Sequence, residues 1–218
     1  RHKTEMGMGT CIGKPLESVE VSIIKITDDP IEEWNEALLV PTGTVGEVVL
    51  NGGIVSQSYY KNSQANALNK IKDGDSNRHR MGDLGLIDEE GQLWFCGRKQ
   101  QRVCTSNKTL FTVQCEGIFN QHPAVFRSAL VGIGAKGNQT PVICIELEPD
   151  QAEALKDPKV KAALTRSIFD IGKTHTLTKD ISSLLFHSSF PVDIRHNAKI
   201  GREQLAIWAE QQEQKNDS

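Results

Sequence analysis

Apolar and polar residues alternate in short runs along the first part of the chain, which predicts β-strands. Residues 19–26 alternate until two neighbouring isoleucines, Ile23 and Ile24, shift the pattern, so we predict a half-buried strand with a bulge there. Residues 45–50 form a second apolar run, followed by a turn of Asn-Gly-Gly. Two more runs within residues 84–96 flank the sequence Asp-Glu-Glu-Gly, which is typical of a β-hairpin. The first part of the chain is therefore predicted to be mainly β.

The rest of the chain mixes helical and strand patterns. Residues 111–119 place apolar side chains at helical spacing, and residues 128–133 and 141–148 read as core strands. A further helix should begin at Asp157 and Pro158, because Asp caps a helix and Pro fits its first turn. The apolar face of that helix is Val160, Leu164, Ile168 and Ile171, and a last helix carries Leu205 and Trp208 before a frayed polar tail.

Composition narrows the class of protein. The chain has 218 residues, of which 38% are hydrophobic and 24% charged, as expected for a globular protein with one or two cores. Lys and Arg number 25 against 28 Asp and Glu, with no block of one sign, which argues against a nucleic-acid partner or a polybasic membrane surface. No apolar run reaches the roughly 18 residues of a membrane span. Five cysteines without a CxxC pair favour a reduced, cytoplasmic location.

A carboxylate and a guanidinium flank the predicted hairpin. Asp83 follows Gly82 at the start of the hairpin, where its two oxygens could accept hydrogen bonds from two ribose hydroxyls. A turn aspartate that binds its own backbone is the alternative. Arg98 follows the second strand, so the hairpin would return it to the same end of the sheet, where it could bind a phosphate or ribose oxygen. An exposed arginine in an ion pair is the alternative for Arg98.

A lysine close to the C-terminal end is the third candidate. Lys199 lies after Pro191 and before the final helix, and Arg195 and His196 precede it. A lysine in a loop is usually a solvated charge. The functional alternative is a mobile cation that reaches the negative charge of a transition state. The histidines show no metal-ligand spacing with the cysteines, so we predict no metal site, and no GxxxxGK[ST] phosphate loop is present.

Four motifs, in this order, resemble the adenylate-forming superfamily of acyl-CoA synthetases, luciferases and nonribosomal-peptide adenylation domains. The resemblance runs from Gly9 to Trp208. The third motif is the most specific, because Gly-Asp-Leu, the Asp-x-x-Gly hairpin and Gly-Arg recur in it with the family's spacing. The four motifs are GTCIGKP, GEVVLNGGIVSQSYY, HRMGDLGLIDEEGQLWFCGRK and NAKIGREQL.

The resemblance implies an α+β fold in two parts. Residues 1–98 would be the β-rich end of the large ATP- and acyl-binding domain, residues 99–101 a hinge, and residues 102–218 a small mobile α+β C-terminal domain. Because the chain begins at Arg1, we interpret it as a piece of a longer enzyme. The missing N-terminal portion would be its partner.

The resemblance also implies roles for the candidate residues. Asp83 would bind the ribose hydroxyls, Arg98 would contact the nucleotide, Lys199 would be the adenylation lysine, and Gln100 would be the hinge. ATP would be the cosubstrate, and Mg²⁺ would be bound through ATP, with its main site in the missing portion. We expect this chain alone to be inactive.

Within the superfamily, the chain is most similar to the β-lactone synthetases of bacterial long-chain olefin biosynthesis. That similarity implies that a fatty β-hydroxy acid is adenylated and that its own hydroxyl then closes a β-lactone, with other olefin-pathway enzymes as further partners. His196 is only a guess for the base of the second step. The alternatives are a medium- or long-chain fatty acyl-CoA ligase, an acyl-AMP ligase, and a non-catalytic binding module.

Two departures from the family pattern affect this interpretation. The hinge position, usually Asp or Lys, is Gln100, which leaves the pivot less defined. The lysine loop has two extra residues between Pro191 and Lys199, with Ala198 where Gly is usual. The second departure weakens the CoA-ligase alternative, because the loop is built differently from that of a usual ligase.

Overall fold

The computed structural model describes residues 1–193 and 199–216, in two compact units. One unit is Gly9–Gln100, and the other joins Arg1–Met8 to the chain from Gln101 onward. The α+β class is confirmed, and the predicted bounds of domains and hinge stay a prediction. The first helix, α1 (His2–Glu5), belongs to the later unit, and the Gln121 side chain donates a hydrogen bond of 2.8 Å to the Glu5 carbonyl.

The unit Gly9–Gln100 is built on one antiparallel sheet. Its strand order is β1-β6-β5-β3-β2, and β4 pairs with β5 beside this path. The predicted hairpin within residues 84–96 is present, as the pairing of β5 with β6. The elements of this unit are β1 (Thr10–Gly13), β2 (Val19–Ile24), β3 (Gly46–Gly52), α2 (Ser63–Asn69), β4 (Lys70–Asp73), β5 (Ser76–Ile87) and β6 (Leu93–Arg98), with a 3-10 turn at Glu36–Leu38.

The predicted bulge at Ile23 and Ile24 is wrong. Strand β2 pairs with β3 in unbroken register, and both isoleucines are buried. Successive side chains point to opposite faces of a strand, so both faces of this sheet must be covered. Ile23 packs in a cluster with Val48, whereas Ile24 packs in another with Val49 and Ile71. The interrupted alternation therefore reflects a strand that is buried on both faces.

A buried charge network crosses this sheet. Arg80 and Glu47 are fully buried, and Arg80 Nη2 lies 2.7 Å from Glu47 Oε2. Two backbone carbonyls accept further guanidinium hydrogens, since Nη1 donates to Asp29 at 2.8 Å and Nη2 to Thr27 at 2.7 Å. Lys99 Nζ lies 2.9 Å from Glu47 Oε1. The network thus joins β3 and β5 to the residue that follows β6.

The other unit is a sheet covered on both faces. Its strand order is β11-β10-β9, with β10 antiparallel to β9 and parallel to β11. Leu130 and Ile143 pack against α3 and α4, whereas Val131 and Val142 pack against α5. The elements are β7 (Val103–Cys104), β8 (Thr109–Leu110), α3 (Thr112–Phe119), β9 (Val125–Ile133), β10 (Thr140–Leu147), α4 (Pro158–Lys173), β11 (Ser183–Phe186), β12 (Val192–Asp193), β13 (Lys199–Ile200) and α5 (Arg202–Asn216), with a 3-10 turn at Ala152–Lys156.

The helices of this unit agree with the sequence prediction except at their ends. Asp157 caps α4 as predicted, by accepting a hydrogen bond of 2.8 Å from the backbone of Lys159. Val160 is exposed, so the buried face begins later in the helix than predicted. The described residues after Trp208 do not form a frayed tail, because α5 continues to Asn216. No helix in the described ranges is long and apolar enough to cross a membrane.

We predict that Glu47→Gln strongly destabilises the unit Gly9–Gln100. The substitution leaves Arg80 and Lys99 without a buried counter-charge, which typically costs about 3–5 kcal/mol. Urea denaturation followed by tryptophan fluorescence measures the loss. Glu5→Gln, in the other unit, removes an exposed ion pair with Arg1 and is the control for loss of a surface carboxylate. Equal midpoints for the two variants would contradict the role given to Glu47.

Candidate functional site

The pairing of β5 with β6 places Asp83 directly opposite Arg98. Asp83 Oδ1 lies 2.9 Å from Arg98 Nη1, and the two side chains are 21% and 50% exposed. Gly82, just before Asp83, has φ +66°, a conformation that favours glycine. The hairpin therefore brings both residues to the same end of the sheet, as the sequence indicates.

The turn that closes this hairpin is held by a single carboxylate. Asp88 Oδ1 accepts hydrogen bonds from the backbone of Glu90 at 3.0 Å and of Gln92 at 2.9 Å. Its Oδ2 accepts a hydrogen bond of 2.9 Å from Trp94 Nε1. Asp88 thus ties the turn to the second strand, and the register of the two strands shifts between Leu84 and Gly85, before the pairing of Asp83 with Arg98.

The Asp83 carboxylate is available as an acceptor. Burial raises its pKa, and the neighbouring Arg98 partly offsets this increase. Oδ1 is buried and lies 2.9 Å from Arg98 Nη1 in an ion pair, and a carboxylate can accept further hydrogen bonds beside such a contact. Arg98 is in an ion pair, as expected if its role is structural. The nucleotide roles of both residues stay predictions.

Lys199 lies in a short strand and not in a loop, so this part of the sequence interpretation is wrong. Its strand β13 pairs with β12, and Lys199 stands opposite Asp193 in the register. The Lys199 side chain is exposed. It lines a cleft of about 550 Å³ together with Asp193 and with Glu203 of α5. The residues of the predicted lysine loop at positions 194–198, among them Arg195, His196 and Ala198, lie outside the described residues.

The candidate residues are divided between the two units. Asp83 and Arg98 lie together in the unit Gly9–Gln100, and Lys199 belongs to the other unit. Gln100 is the last residue of the first unit and lies in a 3-10 turn, Lys99–Gln101. Its role as a hinge stays a prediction.

The buried charged residues Glu47 and Arg80 are not among the residues predicted from the sequence. Glu47 interrupts the apolar run VGEVVL, and a charged residue in a buried strand is a signal that could have been noticed. Its partner Arg80 is also fully buried, in the motif that contains Asp83.

Comparison with known proteins was made by sequence and by fold. The chain is 48% identical over 217 residues to an olefin β-lactone synthetase of Xanthomonas campestris pv. campestris, covering 97% of this chain and 38% of the relative. It is 45% identical over 214 residues to an olefin β-lactone synthetase of Stenotrophomonas maltophilia, covering 96% and 38%. No family model matches. The chain thus spans 38% of the length of these relatives.

The comparison of folds agrees with the comparison of sequences. The structure of the anthranilate CoA ligase AuaEII in complex with anthranoyl-AMP matches with a TM-score of 0.71 and 25% identity, over 91% of this chain and 35% of that one. The chain is similar to the C-terminal portion of an adenylate-forming enzyme. The O-succinylbenzoate CoA synthetase of Bacillus subtilis in complex with AMP shares this adenylating fold, with a TM-score of 0.67, 22% identity, and coverage of 90% of this chain and 35% of that one. The resemblance predicted from the motifs is confirmed.

We predict that Arg98→Met raises the pKa of Asp83, because Arg98 is the group that lowers it. A ¹³C NMR titration of the Asp83 carboxyl carbon in the purified chain measures the midpoint directly. The variant should begin to protonate at a higher pH than the parent as the solution is acidified. Lys14→Met, at an exposed position just after β1 in the same unit, removes a positive charge that does not contribute to the shift of Asp83, and should leave the midpoint unchanged. An unchanged midpoint in Arg98→Met would show that the ion pair does not form in solution.

Proposed function

We propose that the complete enzyme activates a carboxylic acid with ATP through an acyl-adenylate. The substrate carboxylate attacks the α-phosphorus of ATP, the bond to the β-phosphate oxygen breaks, and pyrophosphate leaves. The observation that carries this proposal is the buried acceptor oxygen of Asp83 opposite the guanidinium of Arg98. The names of the relatives support it, since they are synthetases and ligases.

Asp83 and Arg98 fit the ribose end of the nucleotide. A carboxylate can accept hydrogen bonds from both hydroxyls of a ribose, and the half-buried position of Asp83 limits competition from water. Arg98 is half exposed, so its guanidinium can reach a ligand oxygen while keeping its contact with Asp83. The two residues would therefore hold the nucleoside in a fixed position.

Lys199 fits the phosphate end. Its ammonium is exposed and can neutralise charge that develops on the phosphate oxygens as pyrophosphate leaves. Because Asp83 and Lys199 belong to different units, this role requires the units to close about the predicted hinge at Gln100. Mg²⁺ bound through ATP would neutralise further phosphate charge. The described ranges hold no cluster of three or more metal-ligating side chains, so we assign no residue of this chain to the metal.

A more specific proposal concerns the substrate and the product. The substrate would be a fatty β-hydroxy acid whose hydroxyl oxygen attacks its own adenylate carbonyl, so that the bond to AMP breaks and a β-lactone forms. Proximity within one molecule supplies much of the acceleration of such a step. The two olefin β-lactone synthetases at 48% and 45% identity support this assignment. The missing N-terminal portion and other olefin-pathway enzymes would be the protein partners.

A fatty acyl-CoA ligase is the second candidate function. A long-chain-fatty-acid–CoA ligase of Escherichia coli O6:H1 is 30% identical over 144 residues, which is 65% of this chain and 23% of the relative.

A cytoplasmic location suits both candidates, and it is supported by the five cysteines, all of which are free thiols.

We predict that Lys199→Ala in the complete enzyme slows adenylate formation by roughly 10²- to 10³-fold, because a transition-state cation is lost. ATP affinity should stay nearly unchanged, since Lys199 acts mainly on the developing charge. Pyrophosphate release under single-turnover conditions and calorimetric titration with ATP measure the two quantities. Asp83→Ala is the matched counterpart and should weaken ATP binding. Pyrophosphate release at the parent rate in Lys199→Ala would defeat the assignment.

We predict that the complete enzyme converts a 3-hydroxy fatty acid and ATP to a β-lactone, with or without CoA. Mass spectrometry of the products distinguishes this outcome from its rival. The corresponding fatty acid without the hydroxyl is the matched control, and it should stop at the adenylate. An acyl-CoA thioester as the product formed with CoA would move the enzyme to the ligase class.

A further inference from the structure

The strand pair that carries Lys199 is too small to hold itself in place. Strands β12 and β13 share two residue pairs, Val192 with Ile200 and Asp193 with Lys199. An isolated two-stranded hairpin is at best marginally stable in water, even when it is longer than this one. A lysine side chain is also long and flexible, so the position of its ammonium depends on the backbone that carries it. The support for Lys199 must therefore come from contacts on both sides of the strand pair.

The chain leaving β13 is held by a buried, bidentate ion pair. Arg202, at the start of α5, places Nη1 at 2.6 Å from Glu116 Oε1 and Nη2 at 2.9 Å from Glu116 Oε2. The two side chains are only 14% and 9% exposed. Glu116 Oε1 also accepts a hydrogen bond of 2.8 Å from the backbone of Leu130. Glu116 thus links α3 and β9 to the residue that lies just beyond the Lys199 strand.

The chain entering β12 is held by a second buried carboxylate. The backbone of Phe190 donates a hydrogen bond of 2.8 Å to Glu146 Oε2, which also accepts a hydrogen bond of 2.8 Å from Arg127 Nε. The two sides of the strand pair then meet, because the backbone of Gly201 donates to the Pro191 carbonyl at 2.7 Å. Each side of the pair is therefore fastened to the central β9–β10 sheet through a glutamate.

We propose that Glu116 and Glu146 are positioning residues for adenylation, which fix the strand pair so that Lys199 projects from a rigid base. The inference rests on the proposed role of Lys199. A bidentate pair of arginine and carboxylate fixes direction as well as distance, which a single hydrogen bond does not. Catalytic groups must be held within about 0.5 Å by such supporting contacts. Neither glutamate needs to touch the substrate for this role.

Glu116→Gln in the complete enzyme is the principal test. The variant keeps the size of the side chain but loses the charge that orients Arg202. We expect adenylation, measured as single-turnover pyrophosphate release, to slow by roughly 10- to 100-fold, because a small misplacement of a catalytic group is costly. The KM for ATP and the rate of the second step from supplied acyl-adenylate should change less than twofold. Glu146→Gln should show the same separation of effects.

Two further variants separate positioning from loss of stability. Arg202→Lys keeps a positive charge but loses the second hydrogen bond, so it should slow adenylation by a smaller factor while remaining folded. Ile168→Ala is the control, because Ile168 is fully buried against α3 and β10, on the face of the sheet opposite α5. It should lower the melting temperature of this unit and leave the adenylation rate of the folded enzyme unchanged.

The outcomes are distinguishable. The inference is overturned if folded Glu116→Gln adenylates at the parent rate, or if it slows both steps equally. If Glu116→Gln does not fold, the same two criteria apply to Arg202→Lys. Normal adenylation by Lys199→Ala would instead defeat the proposed function. Loss of adenylation in Lys199→Ala together with an unaffected Glu116→Gln would defeat only the positioning role.

Discussion

The antiparallel pairing of β5 with β6 is the constraint on which the candidate nucleotide site depends. It sets Asp83 against Arg98 across one hairpin, whose turn is tied to β6 by Asp88 and whose register shifts between Leu84 and Gly85. The next residue along the chain, Lys99, is bound to Glu47, whose carboxylate is fully buried. One short stretch of chain therefore carries the candidate ribose ligands and a fixed anchor immediately before the predicted hinge at Gln100. Movement at the hinge would leave Asp83 and Arg98 in place.

Each unit uses buried charge where position matters. Glu47 with Arg80 serves the unit that contains Asp83, and Glu116 with Arg202 serves the unit that contains Lys199. A buried ion pair adds little stability compared with apolar packing of the same volume, because desolvation offsets most of the attraction. Its hydrogen bonds do, however, define direction and register. The placement of both networks beside candidate catalytic residues is consistent with a requirement for geometry.

The strands and helices with strong local patterns could be predicted from sequence. The hairpin around Asp88, the strands β9 and β10, and the capped helix α4 depend on turn residues, periodicity and capping, which are local properties. The unbroken pairing of β2 could not be read from the pattern, because burial on both faces imitates a bulge. The short strand that carries Lys199 could not be predicted, since its two residue pairs leave almost no periodic signal in the sequence.

Ion pairs between residues that are distant in sequence could not be predicted from local patterns. Asp83 and Arg98 could be paired in advance because one hairpin connects them. Glu116 and Arg202 could not, since they meet only after α3, the sheet and α5 have packed together. Motif resemblance supplied the roles of single residues but gave no information about the groups that hold them. The structure therefore adds the supporting contacts to an assignment that the motifs had already suggested.

We propose that Asp83 and Lys199, which belong to different units, act on one nucleotide. The most direct measurement is a crystal structure of the complete enzyme with a non-hydrolysable acyl-adenylate analogue. We expect Asp83 within hydrogen-bond distance of both ribose hydroxyls and Lys199 Nζ within reach of the phosphate group. A bound analogue with its ribose away from Asp83, or with no hinge orientation that brings Lys199 to the phosphate, would contradict it.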